Sequence, residues 1–421
     1  MLPAAGGTTL RVVPAALSGL SLCFASLPCG AQGEFPLEYR KAATVDDSAI
    51  SMAVQWLHCN SKKPEQLKGL PEGVIGRLSY FVAYSAGQEI LLAVEWGRPP
   101  RLLADTDRDG DLSDEQAIEG ARVRGRSRWV WGASKMYRFG PFSLADPEAA
   151  DAPPARVLAE LWEYRYLVIY PSGYRTGTLG LGGKSYRMAL VDNNLDGRYD
   201  GMVALPFFSH WGPTCDSLAI DLNNDGQFDY RYIGPAEIQP LTKLISVAGV
   251  YYDVEVVPDG SAIRLKKASP KLGTLDVGKA NAELMLASDS GVHHLKGSEG
   301  KWQLPAGKYS AWAVVLSRTD GKQAKWTLKS LAGTGRLKNF EILAGETTKF
   351  KLGSPLTAKA AVDKRKHLFR TVISISPSLV GPSGVEYSVR LERNGKLVPG
   401  PSLKILDESG KVLDSGKFEY G

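Results

Sequence analysis

Tyr186-Arg-Met-Ala-Leu-Val191 runs straight into Asp192-Asn-Asn194-Leu-Asp196-Gly197-Arg198-Tyr199-Asp200, and the reading of the whole chain turns on this junction. The first half is a short apolar run bounded by turn residues, which is the composition of a strand. The second half fits D-x-D/N-x-D-G-x-φ, a run of short polar side chains that turns at a glycine and returns an apolar residue to a core. Ser217-Leu-Ala-Ile220 leads in the same way into Asp221-Leu-Asn223-Asn-Asp225-Gly226-Gln227-Phe228-Asp229. A further copy, Asp105-Thr-Asp107-Arg-Asp109-Gly110-Asp111-Leu112, lies upstream. Loops entered from strands place the pattern in an all-β protein.

The chemistry of the pattern follows from its spacing. A hard cation takes several oxygen ligands at short range, and side chains at positions one, three and five deliver them when the chain turns at a glycine in position six. The expected ligands are Asp105, Asp107 and Asp109 in the first loop, Asp192, Asn194 and Asp196 in the second, and Asp221, Asn223 and Asp225 in the third. Position seven contributes its carbonyl, which brings in Asp111, Arg198 and Gln227. The twelfth positions are Gln116, Val203 and Tyr232, none of them a carboxylate. Glu115, Asp200 and Asp229 are the natural substitutes.

These three stretches resemble the EF-hand and dockerin-type calcium loops of secreted bacterial proteins, and the resemblance is confined to them. It implies bound Ca2+ in a structural role, with a ligand set weakened at position twelve and no helical pairing of the EF-hand kind.

Outward from the loops the chain reads as short strands at close spacing: Leu78–Tyr84, Ile90–Trp96, Trp162–Tyr170, Val250–Val257, Lys308–Leu316 and Val385–Leu391. Such spacing indicates β-sandwich or immunoglobulin-like modules, with the calcium-type loops between strands. Ser48–His58 is the best helix candidate. Gly177-Thr-Leu-Gly-Leu-Gly-Gly183-Lys184-Ser185 touches the phosphate-loop pattern but is followed by a strand, so it reads as a hairpin. The expected organisation is a signal peptide over 1–31, a β domain over 33–245 holding all three loops, and a second β domain over 246–357. A basic linker over 358–367 and a C-terminal immunoglobulin-like module over 368–421 complete it.

The leader reading rests on an apolar, small-residue stretch with Arg11 as its only charge and Cys29-Gly-Ala31 as a cleavage signal. It implies a secreted or periplasmic protein, with a lipoprotein anchored through Cys29 as the lesser reading. In an exported chain the remaining Cys59 and Cys215 are expected to form a disulfide. The 51 basic residues against 45 acidic ones give +6 over 421 residues, too mild to imply a nucleic-acid partner.

Arg122, Arg124, Arg126 and Arg128 alternate along a stretch that, as a strand, would set them on one face as a possible anion-binding row. No G-x-S-x-G or H-E-x-x-H signature occurs. The expectation is a binding, adhesion or surface-associated module whose partner is a polysaccharide or a cell-surface protein. The alternative is a secreted, calcium-stabilised hydrolase acting on polysaccharide.

Overall fold

The computed structural model describes residues 32–418 apart from 45–46, 124–135, 146–152, 163–165, 205–213, 230–236, 279, 289, 332–333, 368–369 and 389. Strands arranged in several separate sheets dominate, and the one helical element among the described residues is the 3-10 turn Ser48–Ile50. No helix of the described residues is long and apolar enough to cross a membrane.

Four sheets form the first unit. Sheet I runs Leu78–Ser85, Gln88–Glu95, Arg101–Ala104, Ile118–Glu119. Sheet II is Gln55–His58, Tyr166–Pro171, Ala155–Trp162, Met136–Leu144, Ala121–Val123. Sheet III is Ile238–Pro240, Ser217–Ile220, Lys184–Val191, Gly173–Leu181, Glu38–Lys41. Sheet IV is Gln32–Pro36, Ala262–Ala268, Val250–Val256, Leu244–Val247.

Side-chain alternation explains the stacking. Along Ala155–Trp162, Val157, Ala159 and Leu161 pack with Phe81 and Leu92 of sheet I, while Leu158 and Trp162 join Ala189 and Val191 of sheet III. Along Lys184–Val191, Met188 and Leu190 turn the other way, toward Val254, Ile263 and Leu265 of sheet IV. Central strands buried on both faces read as continuous apolar runs, which is what Met188–Val191 is. Gly182 and Gly183 form the tight turn between Gly173–Leu181 and Lys184–Val191, both with positive φ.

Several expectations are corrected. The first unit ends near 268 rather than 245, because sheet IV covers the Met188–Leu190 face and Gln32–Pro36 pairs with Ala262–Ala268. Ser48–His58 is not a helix: after one 3-10 turn, Gln55–His58 pairs with Tyr166–Ile169, and the tertiary pairing overrides local propensity. The basic stretch 358–367 is no linker, since Thr357–His367 pairs along its length with Arg370–Val380. The residues from 368 do not form a module of their own. Val385 and Tyr387 are fully buried in the same core as Leu284, Tyr309 and Phe350, and only the hairpin Ser402–Leu406/Val412–Lys417 pairs with itself alone.

That second unit sets the small sheet Lys301–Pro305, Leu272–Asp276, Thr347–Lys349 against a broad one. The broad sheet contains Gly291–Gly297, Asn281–Ser288, Gly307–Thr319, Lys325–Leu331, Arg390–Arg393 and Lys396–Leu397.

The disulfide is corrected as well, for both cysteines are free. Asn60 bridges to Tyr80 of sheet I and draws the neighbouring Cys59 to an exposed edge. Cys215 is buried at the entry to sheet III, where burial and then the Asp216 charge push its thiol up to about 12. Of the arginine row, Arg122 is exposed on Ala121–Val123, and Arg124, Arg126 and Arg128 lie outside the described residues.

Candidate metal centre

All three acidic loops take one conformation. Arg108, Leu195 and Asn224 at position four have φ of 64°, 57° and 58°, and Gly110, Gly197 and Gly226 at position six have 79°, 83° and 84°. Left-handed backbone is costly outside glycine, so three side-chain-bearing residues adopting it at the same loop position reflect a shared constraint. The constraint is visible in the hydrogen bonds. The position-six N–H donates to the position-one carboxylate in each loop, at 3.4, 3.0 and 3.0 Å. The position-seven N–H donates to the position-five carboxylate, at 2.6, 2.8 and 2.8 Å. Leu112 and Phe228 at position eight are buried, and Tyr199 packs on the core between sheets III and IV.

The first loop follows Arg101–Ala104 and brings Asp105, Asp107 and Asp109 together, with a ligand atom of each within 4.8 Å of the others. This cluster can hold a metal ion. Asp105 is 2% exposed, and burial, with the charges of Asp107 and Asp109, raises its pKa. Glu115 accepts the N–H and hydroxyl of Thr106, and burial, with the same acidic neighbours, raises its pKa too. The Asp111 side chain is not in the trio and accepts the Ser113 N–H at 2.8 Å.

The second loop is the most enclosed. Asp192 accepts the N–H groups of Asp196 and Gly197 at 3.1 and 3.0 Å, and Asn194 Nδ2 donates to Asp196 Oδ2 at 2.9 Å. Asp200 is clasped by Arg198, at 3.0 and 2.8 Å. Asp216 arrives from the next strand. Because Val191 pairs with Ser217, the residues one step beyond, Asp192 and Asp216, emerge side by side. Asp216 is fully buried and accepts the N–H groups of Asn193 and Gly201, at 3.1 and 2.7 Å. Burial and the neighbouring Asp196 charge push Asp192 up to about 8, and burial with Asp192 and Asp196 moves Asp216 the same way. Asn194, 7% exposed, has a buried Oδ1 with no hydrogen-bond partner. The buried carboxylates here repel one another beside an orphaned amide oxygen, but among the described residues only the first loop's trio brings three acidic ligand atoms within 4.8 Å of one another.

The third loop carries its own positive charge. Arg187 lies across the sheet from Asp221, its Nε 3.9 Å from Oδ2, donates from Nη2 to the Gly226 carbonyl at 2.5 Å, and stacks on Phe228 at 4.4 Å. Asn223 Oδ1 accepts the Asp225 N–H at 2.8 Å, while Gln227 and Asp229 follow on the exposed and half-buried rim. Glu237 supports the loop by accepting the N–H groups of Leu222, Asn223 and Asp229, at 2.8, 3.1 and 3.0 Å.

A common part thus emerges that the motif does not contain. In each loop a carboxylate from further along the chain (Glu115, Asp216 or Glu237) accepts the position-two N–H. Glu115 stands near its loop in sequence; Asp216 and Glu237 reach their loops only through strand pairing. The first two loops also meet. Arg108 donates to Ser85 Oγ at 2.6 Å, and Ser85 donates to the Leu195 carbonyl. Comparison with protein-family models, curated proteins and solved structures finds no match to this chain.

Proposed function

We propose that the protein is an exported calcium-binding β scaffold that works by binding, as an adhesion or surface-associated module, rather than by catalysis. The observation that carries the reading is the shared backbone of the three loops, with left-handed residues at positions four and six and the same N–H to carboxylate bonds. What favours calcium is a donor set made only of carboxylate, amide and carbonyl oxygen, the chemistry of a hard cation. In this reading the second loop acts as a joint. Leu195 sits in the core between sheets I and II, and Tyr199 packs on the core between sheets III and IV. A cation there would tie the layers together. The partner fitting an exported scaffold of this kind is a polysaccharide or a cell-surface protein. Loops of extracellular modules bind calcium with Kd of about 10⁻⁴–10⁻³ M, and a hundredfold excess stabilises by about 2.7 kcal/mol per site.

Thermal unfolding of the chain with calcium and with chelator tests this, alongside Asp105→Ala, Asp192→Ala and Asp221→Ala. A calcium-dependent rise in Tm, reduced by Asp105→Ala and Asp192→Ala and least by Asp221→Ala, is the expected result. The ranking follows from Arg187 already standing beside Asp221. An unchanged Tm at millimolar calcium refutes the proposal.

A further inference from the structure

A groove of about 1220 Å³ opens in the second unit, away from the acidic loops. It exists because the two facing sheets differ in width. On the broad sheet Leu316 pairs with Leu328 and Leu328 with Leu391, an apolar row three strands wide. The sheet opposite has only three strands, and Thr347–Lys349 is its edge. Beyond that edge the chain continues through Phe350 and Leu352, which donate their N–H groups to the Asp276 and Val277 carbonyls at 2.8 and 3.3 Å. The row on one side and these two side chains on the other make the floor, with Trp326 half-buried at one wall.

Charge at the rim is not random. Lys349 and Lys351 alternate with buried Phe350 and Leu352, so this bank turns its apolar groups inward and its ammonium groups to solvent. Arg318 is exposed on the opposite bank. Among the described residues none of these three cations has an ion-pair partner. The two acids of the lining are occupied in their own turns. Asp276 accepts the Gly278 N–H at 2.9 Å and lies 3.7 Å from Lys301. Asp320 accepts from Trp326 Nε1 and from the N–H groups of Lys322 and Ala324, at 2.9, 2.8 and 2.9 Å.

An apolar trough edged by uncommitted cations fits one kind of molecule. We propose that this groove binds a single-chain amphiphile with an anionic head group, its chain along Leu316, Leu328 and Leu391 and its head at Lys349, Lys351 and Arg318. Burial of the chain supplies the affinity and the cations select the head. The proposal is independent of the acidic loops.

The test is calorimetric titration of the full chain with decyl phosphate, with uncharged decyl maltoside and with inorganic phosphate, each below any micelle-forming concentration. Expected is saturable one-to-one binding of decyl phosphate, at least tenfold weaker binding of decyl maltoside, and none of phosphate. Replacing Arg318, Lys349 and Lys351 together by Ser should weaken decyl phosphate at least tenfold without moving the Tm of the free chain. Leu356→Asp, at a lining side chain already 37% exposed, gives a second and fold-neutral way to spoil the trough. Equal affinity for the two head groups, or indifference to both sets of substitutions, overturns the proposal. So does binding to anionic vesicles without binding of the monomeric amphiphile, which would assign the surface to a bilayer.

Discussion

Glu160 concentrates the polar cost of the core in one side chain. It is 1% exposed, yet it accepts from Arg138 Nε and Nη2 at 3.0 and 2.8 Å, from Tyr170 at 2.7 Å and from Trp162 Nε1 at 3.2 Å. Every partner comes from sheet II, where Glu160 pairs directly with Arg138. Removing Glu160 leaves the half-buried Arg138 charge uncompensated and the Tyr170 and Trp162 donors without their acceptor, so Glu160→Ala is expected to cost about 3 kcal/mol in urea unfolding. A loss under about 1 kcal/mol would mean that solvent replaces the carboxylate at all three partners. The loop glycines provide a sharper contrast. Gly197 and Gly226 share the same backbone angle, but a Cβ on Gly226 meets nothing within 4 Å. On Gly197 it would overlap the carbonyl oxygen of Pro153. Gly226→Ala should therefore lose only the left-handed strain, about 1–2 kcal/mol. Gly197→Ala should lose clearly more, and equal Tm values for the two variants would contradict this packing.

At the scale of elements, position-by-position reading of the loops succeeds where the physics is local. The glycine at position six, the apolar anchor at position eight and the clustering of Asp105, Asp107 and Asp109 follow from spacing. What spacing does not carry is who stands across the sheet. Asp216 reaches the second loop because Val191 pairs with Ser217, and Arg187 reaches the third because Met188 pairs with Ile220. Register is a long-range property, so neither neighbour was legible in the motif. The strand Gly291–Gly297 shows another hidden pairing. Its His293 is 8% exposed and sits 5.8 Å from the Tyr309 ring, where burial lowers its pKa to about 4. The unfolded chain has an ordinary histidine near 6.5 and takes up the proton first. Stability is thus fully present above about pH 6.5 and is lost as pH falls toward 4. Between pH 7.5 and pH 5 this group alone should remove about 2 kcal/mol. His293→Phe should flatten that part of the stability profile, and parallel profiles for the two proteins would show that His293 is protonated in the fold.

For the whole molecule, the all-β class was readable because strand composition and turn residues repeat along the entire chain. The unit boundary was not. Residues 244–268 look like the opening of a second domain by sequence order, yet they return to cover sheet III beside Gln32–Pro36. The basic run 358–367 shows the same limit: its charge reads as a solvated tether, while pairing with Arg370–Val380 makes it part of a strand. Among the described residues every sheet lies wholly within 32–268 or within 272–417. A fragment of residues 32–268 is therefore expected to fold alone, with a cooperative melt and the calcium response of the full chain. A fragment of 33–245 loses Val250–Val256 and Ala262–Ala268, exposing Leu179, Met188, Leu190 and Leu218 on one sheet face. An exposed apolar face with open strand edges drives association, so this fragment should aggregate. Size-exclusion chromatography and circular dichroism of the two decide it. A monomeric, cooperatively melting 33–245 fragment would restore the earlier boundary and make sheet IV an accessory to sheet III rather than a layer of its core.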